Sequence, residues 1–274
     1  MVTWQQLLQK YFKEATSLSF RYMAFAGVLY LIFYVWKKRE WFRLKIQQKY
    51  PDNKNILREI GYSFLSITIF STVGTTLFLL RKQGYTQMYM KLGDHSIAYF
   101  IFSVVAFILA HDTYFYWTHR FMHWKPIYRY VHKVHHLSTN PTPWAAFAFH
   151  PLEALVEVGI VPIMMFAMPL HPLALLIWLL YQFGMNVLGH LGFELYPAGF
   201  TTGVLTKYSN TSTHHNMHHK YTTSNYGLYF NFWDRLMGTN HEHYTEQFEA
   251  VKARKEENPY ASEAKVLEPL TEKV

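Results

Sequence analysis

Histidines carry the possible chemistry of this chain, and their spacing says what kind. His119 and His123 stand i, i+4 in HRFMH. His132, His135 and His136 stand i, i+3, i+4 in HKVHH, and His215, His218 and His219 repeat that pattern in HHNMHH. On a helix these offsets put each later imidazole within roughly 60° of the first, one turn along the same face. Each run can therefore aim several neutral nitrogens at one point, as a transition metal requires. One such pair alone reads more simply as ordinary partly buried histidines. Three runs in one chain would be costly to desolvate and self-repelling when protonated unless an ion joined them.

His190 adds a further imidazole at the end of an apolar run, with Asn186 one turn before it. These nine histidines exceed the four to six donors one ion accepts, so two metals are the simpler account. The chain has no cysteine, which leaves nitrogen and oxygen donors only. No HExxH helix of the hydrolytic zinc type is present. Carboxylates that could orient the rings by accepting their distal N–H are Asp112, Glu153, Glu194 and Asp234.

The elements that must position these residues are largely apolar. Hydrophobic residues make up 50% of the sequence, aromatic residues 19% and charged residues 16%. Candidate membrane spans lie at 20–36, 60–80 and 96–118. Apolar runs at 152–169 and 171–190 meet at Pro169-Leu170-His171-Pro172 and predict a helical hairpin, kinked at Pro162. The expected fold is all-α: an integral membrane bundle of about four spans under a histidine-rich helical cap. Its regions are an N-terminal transmembrane part (1–95), a histidine-box catalytic part (96–245) and a charged, peripheral tail (246–274).

The N-terminus lacks a cleavable signal layout, so the first span is expected to direct insertion. The net charge of +8 sits in loops rather than in a stripe, which fits a membrane surface and not nucleic acid. If the basic loop 37–59 is cytoplasmic, counting spans puts all three histidine runs on that same face. A metal transporter would instead place its histidines midway through the spans. A haem protein would need only one or two axial pairs. A zinc-loaded membrane hydrolase or a non-catalytic metal-binding protein stays open as the alternative.

The segment from about 108 to 240 resembles the sterol desaturase and fatty acid hydroxylase superfamily of membrane di-iron enzymes. The likeness rests on HRFMH, HKVHH and HHNMHH, and extends to PTPWAAFAFHPLEA (141–154) and NYGLYFNFWDRLMGT (225–239), which look most like the sterol C5-desaturase branch. The resemblance implies that His119, His123, His132, His135, His136, His190, His215, His218 and His219 bind metal, with His150 and His214 in or beside the shell. His111 has no place in the family pattern and is expected next to the ligands; His95, His171, His241 and His243 are expected to be unrelated. Some members carry a histidine where Asn186 stands, which bears on the second metal's ligand count.

The implied cofactors are two iron ions, replaceable by zinc in purified protein, with O2 as co-substrate. The implied activity is hydroxylation or desaturation of a lipid: a sterol, a fatty acyl chain or a related molecule. No HPGG cytochrome b5 motif is present, so electrons are expected from a separate cytochrome b5, ferredoxin or reductase. The expected location is the inner membrane of a bacterium or the endoplasmic reticulum of a eukaryote, with the active site facing the cytoplasm.

Overall fold

The computed structural model describes residues 2–254. Four of its helices are long and apolar enough to cross a membrane: α1 (Trp4–Trp36), α2 (Asn53–Lys82), α3 (Ile97–Met122) and α8 (Pro172–Gly189). The shorter helices are α4 (Lys125–Val131), α5 (Lys133–His136), α6 (Pro151–Val158), α7 (Ile160–Ala167), α9 (Ser212–Tyr221), α10 (Phe232–Leu236) and α11 (Tyr244–Lys252). Among the described residues the fold is all-helical, and its four candidate spans make it a multi-pass membrane protein.

The first span begins earlier than 20–36. Thr3 starts it with a capping box, its side chain accepting from Gln6 N while Gln6 returns the bond. Polar residues in the first turns had hidden a helix that runs on for 33 residues, about 50 Å at 1.5 Å per residue. The expected hairpin has one long arm. α8 is a span, but its partner is split into two eight-residue helices at Gly159. Pro162 causes the split, because its ring excludes the carbonyl of Val158 four residues back. Gly159 is also required there, since a Cβ would come within 2.6 Å of the Tyr114 hydroxyl. That hydroxyl donates to the Val156 carbonyl at 2.7 Å, which also accepts from Gly159 N at 3.0 Å.

The bundle has two distinct ends. At one, residues 85–99 and 165–171 join: Gln87 N donates to Met165 O, Tyr89 N to Leu170 O, and the Tyr99 hydroxyl to Pro169 O. His95 and His171 pack on Tyr89 there, far along the spans from the histidine runs. At the other end the basic loop after α1 lies on the histidine segments. Ile46 N donates to Gly192 O, Glu194 N to Leu44 O, and Gln47 Nε2 to Asn216 Oδ1.

Between the ends, the core is aromatic. Phe107 of α3 stacks on Trp178 of α8 with ring centroids 4.2 Å apart, beside Met164 and Met165 of α7. Tyr22, Trp144, Phe147 and Phe183 form a second cluster joining α1 and α8 to the buried 3-10 turn Pro143–Phe147. The Tyr22 and Ser63 hydroxyls both donate to Trp144 O at 2.9 Å, fixing that turn against α1 and α2. Residues 246–252, expected to trail, continue α11 instead, with Phe248 and Val251 buried and Phe248 packed against Met217. The expectation for the tail beyond Arg254 lies outside the described residues.

Candidate metal centre

The two longest-range consequences of this fold are that α3 and α8 both end at the histidine face, and that α9 is buried beneath them. His119 is in the last turn of α3 and His123 caps it. His132 stands between α4 and α5, and His135 and His136 lie on α5. His190 caps α8, and His215, His218 and His219 lie on α9.

All nine come together, in two groups. His119, His123, His132, His136 and His218 form one, and His135, His190, His215 and His219 the other, with each residue offering a nitrogen within 4.8 Å of the others in its group. Neighbouring positions on a helix point about 100° apart. His135 and His136 therefore serve different groups, as do His218 and His219, and the short helices α5 and α9 stand between the two sites. The groups adjoin, with the His136 and His219 rings 4.9 Å apart.

The protons show what these clusters can hold. His119 Nδ1 donates to Tyr226 O (2.8 Å), His132 Nδ1 to Glu153 Oε1 (2.7 Å) and His218 Nδ1 to Ser224 O (2.7 Å). In the second group His190 Nδ1 donates to Asn186 O (2.8 Å) and His135 Nδ1 to Ala148 O (3.4 Å). A neutral imidazole with Nδ1–H committed has only a lone pair on Nε2. Yet the Nε2 atoms of rings so committed face one another at 3.0 Å for His119 and His132 and at 3.3 Å for His190 and His135. Lone pairs at such separations repel unless a cation lies between them. Around an ion with metal–nitrogen bonds of about 2.1 Å, adjacent donors lie about 3.0 Å apart in octahedral and about 3.4 Å in tetrahedral geometry. The residues fit a metal pair.

Electrostatics agrees. Burial first, then the neighbouring imidazoles, holds His132, His135, His136, His215, His218 and His219 well below the usual histidine range. The rings are thus neutral at pH 7, the form that binds metal.

Other expectations are redistributed. Glu153 does orient a ring, as its bond to His132 shows. Glu194 instead accepts from Thr213 N (2.9 Å) and Thr213 Oγ1 (2.7 Å), capping the first turn of α9. Asp112 Oδ1 accepts from Tyr229 N and Phe230 N, tying α3 to the loop 225–230. Asp234 accepts from Tyr226 N and Gly227 N, which sets the Tyr226 carbonyl that His119 uses. His150 lies outside both groups and caps α6 through Leu152 N. His214 is buried outside both groups as well, its ring packed on Tyr244 and 3.7 Å from Asp234. The Asn186 side chain donates to Ala146 O, so the second group consists of four histidines. His111 meets Tyr229 and Trp178 instead of the clusters.

Sequence reasoning missed the backbone carbonyls of Tyr226, Ser224, Ala148 and Asn186, which carry no residue-type signal. It also missed Glu157, whose one available sign was a carboxylate inside the apolar run 152–169. Glu157 lines an apolar cavity of ≈ 150 Å³ between α1, α2, α3, α6 and α8. Phe149 lines the same cavity and packs on His135, ring centroids 5.1 Å apart.

Comparison with known proteins accounts for this architecture. The family model described as fatty acid hydroxylase matches residues 104–239, which hold all nine histidines. A Delta(7)-sterol 5(6)-desaturase of Aspergillus fumigatus is 30% identical over 244 residues, 82% of this chain and 72% of that protein. The chain belongs to the fatty acid hydroxylase/sterol desaturase family. Lathosterol oxidase of Mus musculus is 33% identical over 197 residues, 70% of this chain and 64% of that protein. A Delta(7)-sterol 5(6)-desaturase of Gibberella zeae is 31% identical over 199 residues, 72% of this chain and 59% of that protein. The match thus spans under two thirds of the length of these last two relatives. No solved structure is significantly similar. Membership in this family fits the buried histidine clusters as a metal site.

Proposed function

We propose that the two histidine groups hold two iron ions, and that the protein uses O2 to hydroxylate or desaturate a C–H bond of a membrane lipid, in the first place a sterol. The observation that carries this reading is the set of nine facing Nε2 atoms, five and four, in a chain whose relatives are named sterol desaturases and oxidases. His119, His123, His132, His136 and His218 would hold one ion, and His135, His190, His215 and His219 the other. When bound, the iron pair supplies the redox chemistry that an unactivated C–H bond requires.

The rest falls to the chain. Glu153 and the carbonyls of Tyr226, Ser224, Ala148 and Asn186 hold protons on Nδ1, which fixes each tautomer and aims Nε2 inward. Eight of the nine rings are buried, His123 alone being half-buried, so bulk water is kept from the reacting centre. The apolar cavity ending at Phe149 offers the lipid a fixed approach, and placement of one carbon decides between alcohol and alkene. Electrons would arrive from a separate donor at the histidine end, taken here as the cytoplasmic face.

Comparative lipid mass spectrometry of cells with and without the gene tests this. The expected difference is a lipid that gains one oxygen or loses two hydrogens, absent when His135→Ala replaces the wild type. An unchanged lipid profile, or protein from iron-replete cells that carries zinc alone and cleaves esters, would overturn it.

A further inference from the structure

The cavity beside the metal centre is apolar along most of its wall: Phe70, Val73, Leu77, Val161, Leu175 and Phe183 belong to it. Of the polar groups that interrupt it, Glu157 and His111 are of opposite hydrogen-bonding character. Glu157 is half-buried on α6 with no hydrogen-bond or ion-pair partner among the described residues. It stands one turn beyond Glu153, the carboxylate that accepts from His132, on the same helix face.

His111 is the second. Trp178 Nε1–H can only donate, so His111 Nδ1 accepts from it at 3.3 Å and from the Tyr229 hydroxyl at 2.8 Å. The neutral ring then carries its proton on Nε2, and that N–H has no protein partner among the described residues. Tyr229 is itself fixed, its N–H donating to Asp112 Oδ1 at 2.8 Å. His111 is 2% exposed, so the ring is held in one orientation at the cavity wall.

An acceptor and a donor left unmatched in an apolar cavity are costly unless a ligand meets both. A hydroxyl is the smallest group that donates and accepts at once. Glu14 and Gln182 also line the cavity; the Glu14 carboxylate is taken by Lys10, and the partly exposed Gln182 amide is a further polar group of the wall.

We infer that Glu157 and His111 read a hydroxyl on the lipid, the carboxyl accepting its O–H and the imidazole N–H donating to its oxygen. This deepens and rests on the lipid-oxidase reading: the substrate is an alcohol with a mostly hydrocarbon body, its hydroxyl seated about one helical turn from the carboxylate that orients His132. A plain hydrocarbon would leave both groups unpaired.

The test is equilibrium binding of radiolabelled cholesterol and of its 3-deoxy analogue, cholest-5-ene, to the full chain in nanodiscs. Wild type should prefer the alcohol by about 10- to 100-fold, the effect of an unpaired buried polar group. Glu157→Leu and His111→Phe should each weaken alcohol binding about tenfold or more and leave the deoxy compound unchanged or tighter. Glu157→Gln, which keeps an acceptor, should restore part of the preference. Metal content and far-UV circular dichroism equal to wild type show that each variant is folded.

Equal binding of the two probes by wild type, binding of neither, or an unchanged preference in folded Glu157→Leu would overturn the assignment. Binding requires no turnover, so these results are separate from failure of the iron–oxygen reading. That failure would appear as missing iron or as lipids unaltered in cells.

Discussion

At the scale of single residues, the nine histidines were legible because helical spacing is itself a statement about direction. An i, i+3, i+4 set keeps both later rings within about 60° of the first yet about 100° from each other, so His135 parts from His136 and His219 from His218 between the two groups, and a dry metal site is what makes so many neutral imidazoles tolerable together. The acceptors behind them were mostly illegible. Backbone carbonyls serve His119, His218, His135 and His190, and any residue type supplies a carbonyl. Glu153 is the exception, a carboxylate whose sequence position sufficed to nominate it. Because its Oε1 accepts the His132 Nδ1 proton at 2.7 Å, Glu153→Ala should lower metal affinity about 10- to 100-fold. Glu153→Gln, which retains an acceptor, should lose less; titration with a competing chelator measures both. Affinities equal to wild type in both variants would mean that His132 is oriented by something else.

At the scale of elements, the spans could be read from apolar runs, but their ends could not. Pro162 announced an interruption, and the break falls at Gly159, where the proline ring denies a carbonyl its place. The loop after α1 was legible as basic but not as a structural piece. Lys45 in this loop is fully buried, its Nζ donating to Asn140 Oδ1 (3.2 Å) and Gly192 O (3.4 Å), which clasps the loop to the residues beside His190 and His136. Burial lowers its pKa to about 7, whereas an unfolded lysine holds its proton to about 10.4. Between those values the unfolded state binds more protons, so stability rises with pH across that window. The melting temperature of wild type should therefore climb from pH 7 to pH 9.5 more steeply than that of Lys45→Met. Parallel curves would show that Lys45 is not desolvated.

At the scale of the whole molecule, counting spans put the three histidine runs on the side of the basic loop, and the packing of Ile46 and Gln47 on Gly192 and Asn216 brings these segments together at one end. The chain has no cysteine, so single cysteines report sidedness without background. Lys49→Cys and Lys133→Cys, both exposed, should react with an impermeant maleimide from the same face, and Lys91→Cys from the opposite one. Labelling of Lys91→Cys and Lys133→Cys from one side would break the topology.

The central claim is that five and four histidines each enclose an ion of one coupled iron pair. Mössbauer spectroscopy of protein grown on iron-57, combined with metal analysis of the same sample, tests it most directly. The account predicts about two irons per chain in nitrogen-rich sites that couple magnetically when oxidised, with about half or less of that iron retained in His218→Ala. A wild-type sample that binds a single iron, or that holds only zinc after expression in iron-replete medium, would contradict it.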